Sequence, residues 1–303
     1  MIKIYVRMIK IRSERKKYED LFKKLGEKVM KDEFESISPT AILTSYPRIF
    51  TDIPYEKEIY NWIEENCSEK PQLNKNLAPE IEARYKLINK ILDNTNIKQV
   101  LELASGYSSR GIIYSQKGYN YIEMDLENVA TNKRKIVENI SKLNGKLEIL
   151  SGNALNIEAF DNANKYFEEG KIAVINEGLL RYLTFDEKEI VARNIYSLLK
   201  KHNGGVWITC DVTPKKFILS QDKALPNFNK NLTSLTDRNS LNDRFENIEH
   251  IKEFFGKIGF DVIEIHKFSE VKKELYSINH FNIINENIEK SLEDAIVAVM
   301  KIK

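Results

Sequence analysis

Cysteine is nearly absent: Cys67 and Cys210 are the only two in 303 residues. They lie far apart and form no CxxC pair, which argues against a disulfide framework and against a structural zinc site. A reducing, cytoplasmic setting is the expectation that follows, and no metal site is expected. Long apolar runs are missing as well. The opening MIKIYVRMIKIR alternates apolar and basic residues instead of forming the continuous apolar stretch of a signal peptide. Nothing downstream approaches the roughly 20 apolar residues of a membrane span. Nor is one sign of charge in excess, since 47 Lys and Arg stand against 45 Asp and Glu, a formal net charge of +2. A long phosphate footprint would call for a clearer cationic surplus, so nucleic acid is not the expected partner. With 42% hydrophobic residues and no internal period, the chain is neither disordered nor a repeat or coiled coil.

What is present is a change of texture along the chain. Tyr18, Leu21, Phe22, Leu25 and Val29 fall at helical spacing, and Ser38-Pro39 breaks that helix. A short helix is expected from Tyr55 to Glu65. The polar, proline-bearing run SEKPQLNKNLAP then reads as a linker, and Pro79 opens a helix to Asp93. After Asn96, short apolar runs alternate with helical stretches: QVLELA (99–104), NYIEMD (120–125), LEIL (147–150), IAVIN (172–176) and VWITC (206–210). Such alternation is the signature of crossover units in a parallel sheet. Thr184 and Glu187 form a capping box for the helix that follows Leu183. Residues 214–246 are polar and interrupt the pattern as an insertion over the sheet's carboxyl edge would. A helix over 247–258 and strands over 260–266 and 295–301 close the chain. The expected organisation is a helical cap over 1–95 and an α/β domain over 96–303, with a mobile lid at 214–246.

The sharpest local feature is VLELASGYSSRG, residues 100–111, in which a strand ends in Glu102 and a small-residue turn leads into a helix. Small residues let a ligand approach the backbone, and a helix start offers N–H groups. The turn is neither GxGxxG nor a phosphate loop, which disfavours a nicotinamide-dependent oxidoreductase. The next strand ends in Asp125, about 20 residues on, where a carboxylate can accept both hydroxyl hydrogens of a ribose. Two carboxylates there disfavour a phosphate guest and suit a nucleoside with a cationic end, such as S-adenosylmethionine. The competing reading is that Glu102 and Asp125 only cap the following helices. Arg84 shares a helix face with Ile81, Tyr85 and Ile88, so its guanidinium needs either an anionic partner or a path to water.

The strings ELASGYSSRG, YIEMDLENV, SGNALN and VINEGLLRYLT resemble class I S-adenosylmethionine-dependent methyltransferases. Within these, the chain is similar to the leucine carboxyl methyltransferase group, which includes bacterial O-methyltransferases assigned to polyketide biosynthesis. EMDLENV, followed by Lys133, resembles the group's E-x-D-x-P block without its proline, and EGLLRYLT resembles its E-G-x-x-x-Y-L block. SPTAILTSYPRIFTDIPYEKEI resembles its N-terminal segment. The resemblance implies a Rossmann-like, mostly parallel sheet with an antiparallel last strand. It also implies S-adenosylmethionine as cofactor, with Glu102, Ala104 and Gly106 along the methionine part and Asp125 on the ribose. Asn153, Ala154 and Leu155 would flank the adenine, Glu177, Gly178 and Leu179 would close the site, and Arg84 would grip the cofactor's carboxylate. Arg48, Arg181 and Tyr182 are candidates for contact with a small-molecule acceptor. Ala104 and Ser108 stand where glycines are usual, and Asn153 where an aspartate is. No general base is evident, a hint toward a carboxylate or acidic hydroxyl acceptor. A non-catalytic adenosyl-ligand sensor with the same pocket is the alternative, and the sequence carries no sign of oligomeric state.

Overall fold

The five apolar runs and the two closing segments form seven strands. The computed structural model describes residues 39–67, 74–140, 145–212, 214–226 and 243–303. The helix expected through Tyr18 to Val29, and most of the linker and of the 214–246 insertion, lie outside the described residues. The strands are β1 (Gln99–Leu103), β2 (Asn120–Asp125), β3 (Lys146–Ser151), β4 (Ile172–Asn176), β5 (Gly205–Thr209), β6 (Phe260–Lys267) and β7 (Ile296–Ile302). They form one sheet in the order β3-β2-β1-β4-β5-β7-β6. β7 runs antiparallel to both of its neighbours, and the pairs from β3 to β5 are parallel. This is the expected Rossmann-like arrangement with an antiparallel last strand.

Both faces of the central sheet are covered, which is why β1, β2, β4, β5 and β7 are largely buried, whereas the outer strands β3 and β6 are only partly buried and interleave apolar with polar residues. Leu101, Leu103, Ile122, Met124, Val174 and Trp207 face one side. There they meet α6 (Ile157–Asn164), α7 (Phe185–Lys201) and α9 (Ile248–Ile258). Val100, Tyr121, Ala173, Ile175 and Ile208 face the other. That face is covered by α3 (Ala78–Asn94), α4 (Arg110–Gln116), α8 (Lys215–Ala224) and α11 (Glu286–Asp294). The short α10 (Tyr276–Asn279) lies between α8 and α11 in sequence. The helix α7 starts as its sequence dictates: Thr184 Oγ1 accepts the Glu187 N–H, and the Glu187 carboxylate accepts the Thr184 N–H. It buries Val191, Ile195, Leu198 and Leu199, each worth about 1.5–3 kcal/mol when removed from water.

Two helices stand over the carboxyl edge. α1 (Pro39–Arg48) and α2 (Glu56–Asn66) bury Ala41, Ile42, Ile59 and Ile63 with Tyr107. Val129 and Ile136 of α5 (Glu127–Ile140) complete that cluster. α1 is absent from the sequence reading, because its PTAILTSYPR carries a proline at each end. The part of the 214–246 insertion that is described is largely helix α8, with Phe217 and Ile218 buried.

Candidate functional site

A sheet of this order has a switch point: chain connections leave β1 toward β2 on one side, whereas β4 lies on the other. Loops at the carboxyl ends of β1 and β4 diverge there and open a crevice. Strand register brings the chemistry into line. Leu103 is paired with Met124 on one side and with Asn176 on the other, and the Ala104 N–H donates to the Met124 carbonyl. One residue further on, Ala104, Asp125 and Glu177 therefore sit at one level across three adjacent strand ends.

The loops there are held in left-handed backbone conformations. φ is +51° at Ala104, +54° at Gly106 and +87° at Gly178. Nothing lies within 4 Å of where a Cβ at Gly178 would project, so the Gly178 side of the crevice is open. For Ala104 this conformation costs roughly 1–2 kcal/mol that a glycine would avoid.

The crevice has two adjoining chambers. The first, about 770 Å³ including space open to solvent, lies among α1, α3 and the loops after β1 and β4. Its charged lining comprises Arg48, Glu80, Arg84, Asp125, Glu177 and Arg181. The second, about 550 Å³, is largely apolar and is lined by Met124, Ala154, Leu155, Leu179, Leu183 and Val191, with Asn153 among them. Ala104, Asp125, Leu126, Gly178 and Tyr182 border both chambers.

Asp125 stands at the junction. Its Oδ2 accepts the Gly106 N–H at 2.7 Å and its Oδ1 accepts the Leu126 N–H at 2.7 Å, which fixes the carboxylate plane. Burial pushes this carboxyl up to about 6, against the lowering pull of the two N–H donors. Beneath the turn, Lys133 is almost fully buried. Its ammonium donates to the Ser108 and Gly106 carbonyls and pairs with Glu123, so it ties the loop to the second strand.

Glu177 gathers three arginines. Arg84 Nε donates to its Oε1 at 2.7 Å, Arg110 Nη2 to its Oε2 at 2.7 Å, and Arg48 Nη2 stands 3.5 Å from Oε1. Burial alone would raise this carboxyl, but Arg84, Arg110 and Arg48 outweigh it and hold it at about 2. Glu177 is therefore an anion throughout the working pH range. Arg84 uses Nε alone for this bond, which leaves its two Nη nitrogens without a hydrogen-bond partner among the described residues.

Of the expected residues, Ala104, Gly106, Asp125, Asn153, Ala154, Leu155, Glu177, Gly178, Leu179 and Arg84 all border the crevice, as do Arg48, Arg181 and Tyr182. Glu102 does not. It is 1% exposed, its Oε1 is paired with Arg110, and its Oε2 accepts the Tyr121 hydroxyl at 2.7 Å. Strand alternation turns Glu102 to the face of Val100, beneath α4, where its charge is neutralised before it could meet a ligand. The expectation that Glu102 lines a cofactor is corrected accordingly, and of the two carboxylates only Asp125 borders the crevice.

Sequence reasoning missed Arg110, Asp211 and Glu80. Arg110 is fully buried and links Glu102 to Glu177, with Nε on Asn89 Oδ1 at 2.8 Å. Asp211 accepts the N–H groups of Gly178, Leu179 and Leu180 and the Asn176 amide, at 2.6–3.0 Å. It thereby sets the loop after β4. An acid at the end of β5 repeats the pattern seen at the other strand ends, and that signal was available. Glu80, one turn before Arg84, accepts the Gln221 amide of α8 with both oxygens at 2.8 Å.

No family model and no curated protein matches the sequence. Several solved structures are similar in fold. A magnesium protoporphyrin IX methyltransferase from Synechocystis PCC 6803 with bound SAH has a TM-score of 0.47 at 10% identity, over 82% of this chain and 94% of that one. The mitomycin 7-O-methyltransferase has a TM-score of 0.46 at 12% identity, over 75% of this chain and 56% of that one. A mycolic acid cyclopropane synthase complexed with SAH and CTAB has a TM-score of 0.46 at 15% identity, over 73% and 84%. All three are distant likenesses.

Proposed function

We propose that the protein is an S-adenosylmethionine-dependent O-methyltransferase acting on a small-molecule carboxylate or hydroxyl. The observation that supports this most directly is the placement of Asp125, an oriented carboxylate bordering an apolar chamber on one side and a charged chamber on the other. A ribose on Asp125 would leave a flat base to the apolar side and an amino-acid end to the charged side.

The residues present fit this cofactor. Ala154, Leu155 and Leu179 would flank the base. Asn153 Oδ1 already accepts the Leu155 N–H at 2.9 Å, so the side-chain amide has N–H groups left to donate to a ring nitrogen. Arg84 would meet the carboxylate through its Nη nitrogens, kept in orientation by Glu177. Ala104, Gly106 and Gly178 present little side chain at the turn and permit close approach. When bound, the cofactor supplies an electrophilic methyl group for in-line displacement.

The protein's own share is positioning and exclusion of water. Thr40, Leu43 and Thr44 of α1 wall the charged chamber opposite Arg181 and Tyr182. An acceptor carboxylate is already ionised and can pair with Arg48 or Arg181. For a hydroxyl acceptor, Glu80 is the carboxylate placed to take the proton. Glu177 is committed to arginines and Asp125 to backbone N–H groups, whereas the one hydrogen-bond partner of the Glu80 carboxylate among the described residues is the Gln221 amide. On EMDLENV and EGLLRYLT we place the chain in the leucine carboxyl methyltransferase-like group, as a cytoplasmic enzyme. The helices α1 to α3 supply acceptor contacts and, through Arg84, the grip on the cofactor's carboxylate, and residues 96–303 hold the rest of the cofactor. Calorimetry with S-adenosylmethionine and NAD, followed by a screen of carboxylates and phenols for homocysteine release, tests this reading. Binding and turnover with one acceptor class support it, and binding of NAD alone removes it.

A further inference from the structure

A further cavity lies at the opposite, amino edge of the parallel strands, between the C-terminal half of α3 and the outer strands β5, β7 and β6, with about 1420 Å³ including space open to solvent. Its floor is apolar, made by Leu87, Ile91, Ile97, Val206 and Val299. Its rim carries Lys171, Lys200 and Lys301, whose ammonium groups have no ion pair or hydrogen bond among the described residues. A fourth rim lysine, Lys90, stands 3.8 Å from Glu274. The two rim carboxylates, Glu264 and Glu270, are each held by His266 at 3.0 Å. One imidazolium offsets at most one of these two negative charges, so against the three unpaired lysines the rim still carries a net positive charge.

We infer that the groove binds a single-chain anionic amphiphile, with its alkyl chain on the floor and its carboxylate among Lys171, Lys200 and Lys301. Charge complementarity selects this occupant. Three ammonium groups without partners surround an apolar floor, and lysine is a mobile point charge on a flexible stem that adapts to a single anionic head. This inference does not depend on the chemistry of the crevice.

The test is calorimetric titration of the whole protein with decanoate below its micellar range, with acetate and decyltrimethylammonium as controls. Decanoate is expected to bind, acetate not to bind, and the cationic chain to bind at least about tenfold more weakly, because it faces like charge. The triple variant Lys171→Glu, Lys200→Glu, Lys301→Glu is expected to lose at least about tenfold in decanoate affinity for the same reason. Hydrogen exchange with decanoate should show new protection at residues 203–206 and 297–302 in the unaltered protein, a readout that does not rely on the variant folding. No binding of decanoate, equal binding of the cationic chain, undiminished affinity in the folded triple variant, or protection confined to residues 104–126 would each overturn the assignment.

Discussion

Arg84 Nε and Glu177 Oε1 are 2.7 Å apart, which joins the third helix to the tip of the fourth strand. The pair is buried, and Glu177 also holds Arg110. Removing one partner of such a cluster leaves uncompensated charge in a low-dielectric site. Glu177→Gln is therefore expected to destabilise the protein by about 3–5 kcal/mol in urea unfolding. A loss under 1 kcal/mol would show that water reaches the arginines.

Arg84→Met keeps the length and apolar stem of the side chain and removes the groups that would face a ligand carboxylate. Glu177 retains Arg110 and Arg48 in this variant, so folding should survive. S-adenosylhomocysteine affinity should fall by roughly 2–3 kcal/mol, while methylthioadenosine, which lacks the amino-acid end, should bind as before. Equal losses for both ligands would place Arg84 outside the carboxylate site.

The strands were legible because burial on both faces imposes apolar runs of four to six residues, and Asp125 and Glu177 were legible because each follows such a run directly. Glu102 satisfied the same local rule and was placed in the crevice on that ground. Its true partner, Arg110, sits in a run of small residues, and the groups it meets come from three separate elements: Asn89, Glu102 and Glu177. No local pattern encodes that convergence. The helix α1 was hidden for a related reason. Its proline at position 47 and its threonines argue against a helix, and the burial of Ala41 and Ile42 against α2 and α5 overrides them.

The Asp125 carboxyl, raised to about 6 by burial, makes ligand binding depend on pH. Only the ionised form can accept two ribose hydroxyls. Affinity for S-adenosylhomocysteine is therefore expected to rise between pH 5 and pH 7, and Asp125→Asn should flatten that part of the profile. The stability contribution has the opposite sign. Folding favours the protonated form, so this group's share of stability declines as pH rises from its unfolded value of about 3.9 toward about 6. A binding profile that is flat from pH 5 to 7 in the unaltered protein would contradict the assignment.

Ala104 holds a φ of +51° without being glycine. Ala104→Gly relieves that strain but adds freedom to the unfolded chain, leaving a net gain of about 0.5–1 kcal/mol in thermal or urea unfolding. A destabilised variant would mean that the Ala104 methyl contributes packing worth more than the strain.

The account turns on one carboxylate between two chambers, and titration of the unaltered protein and of Asp125→Ala with S-adenosylhomocysteine tests it most directly. The account predicts binding to the unaltered protein and a loss of roughly 1–3 kcal/mol in the folded variant. Equal affinity in both proteins, or no binding to either, would contradict it.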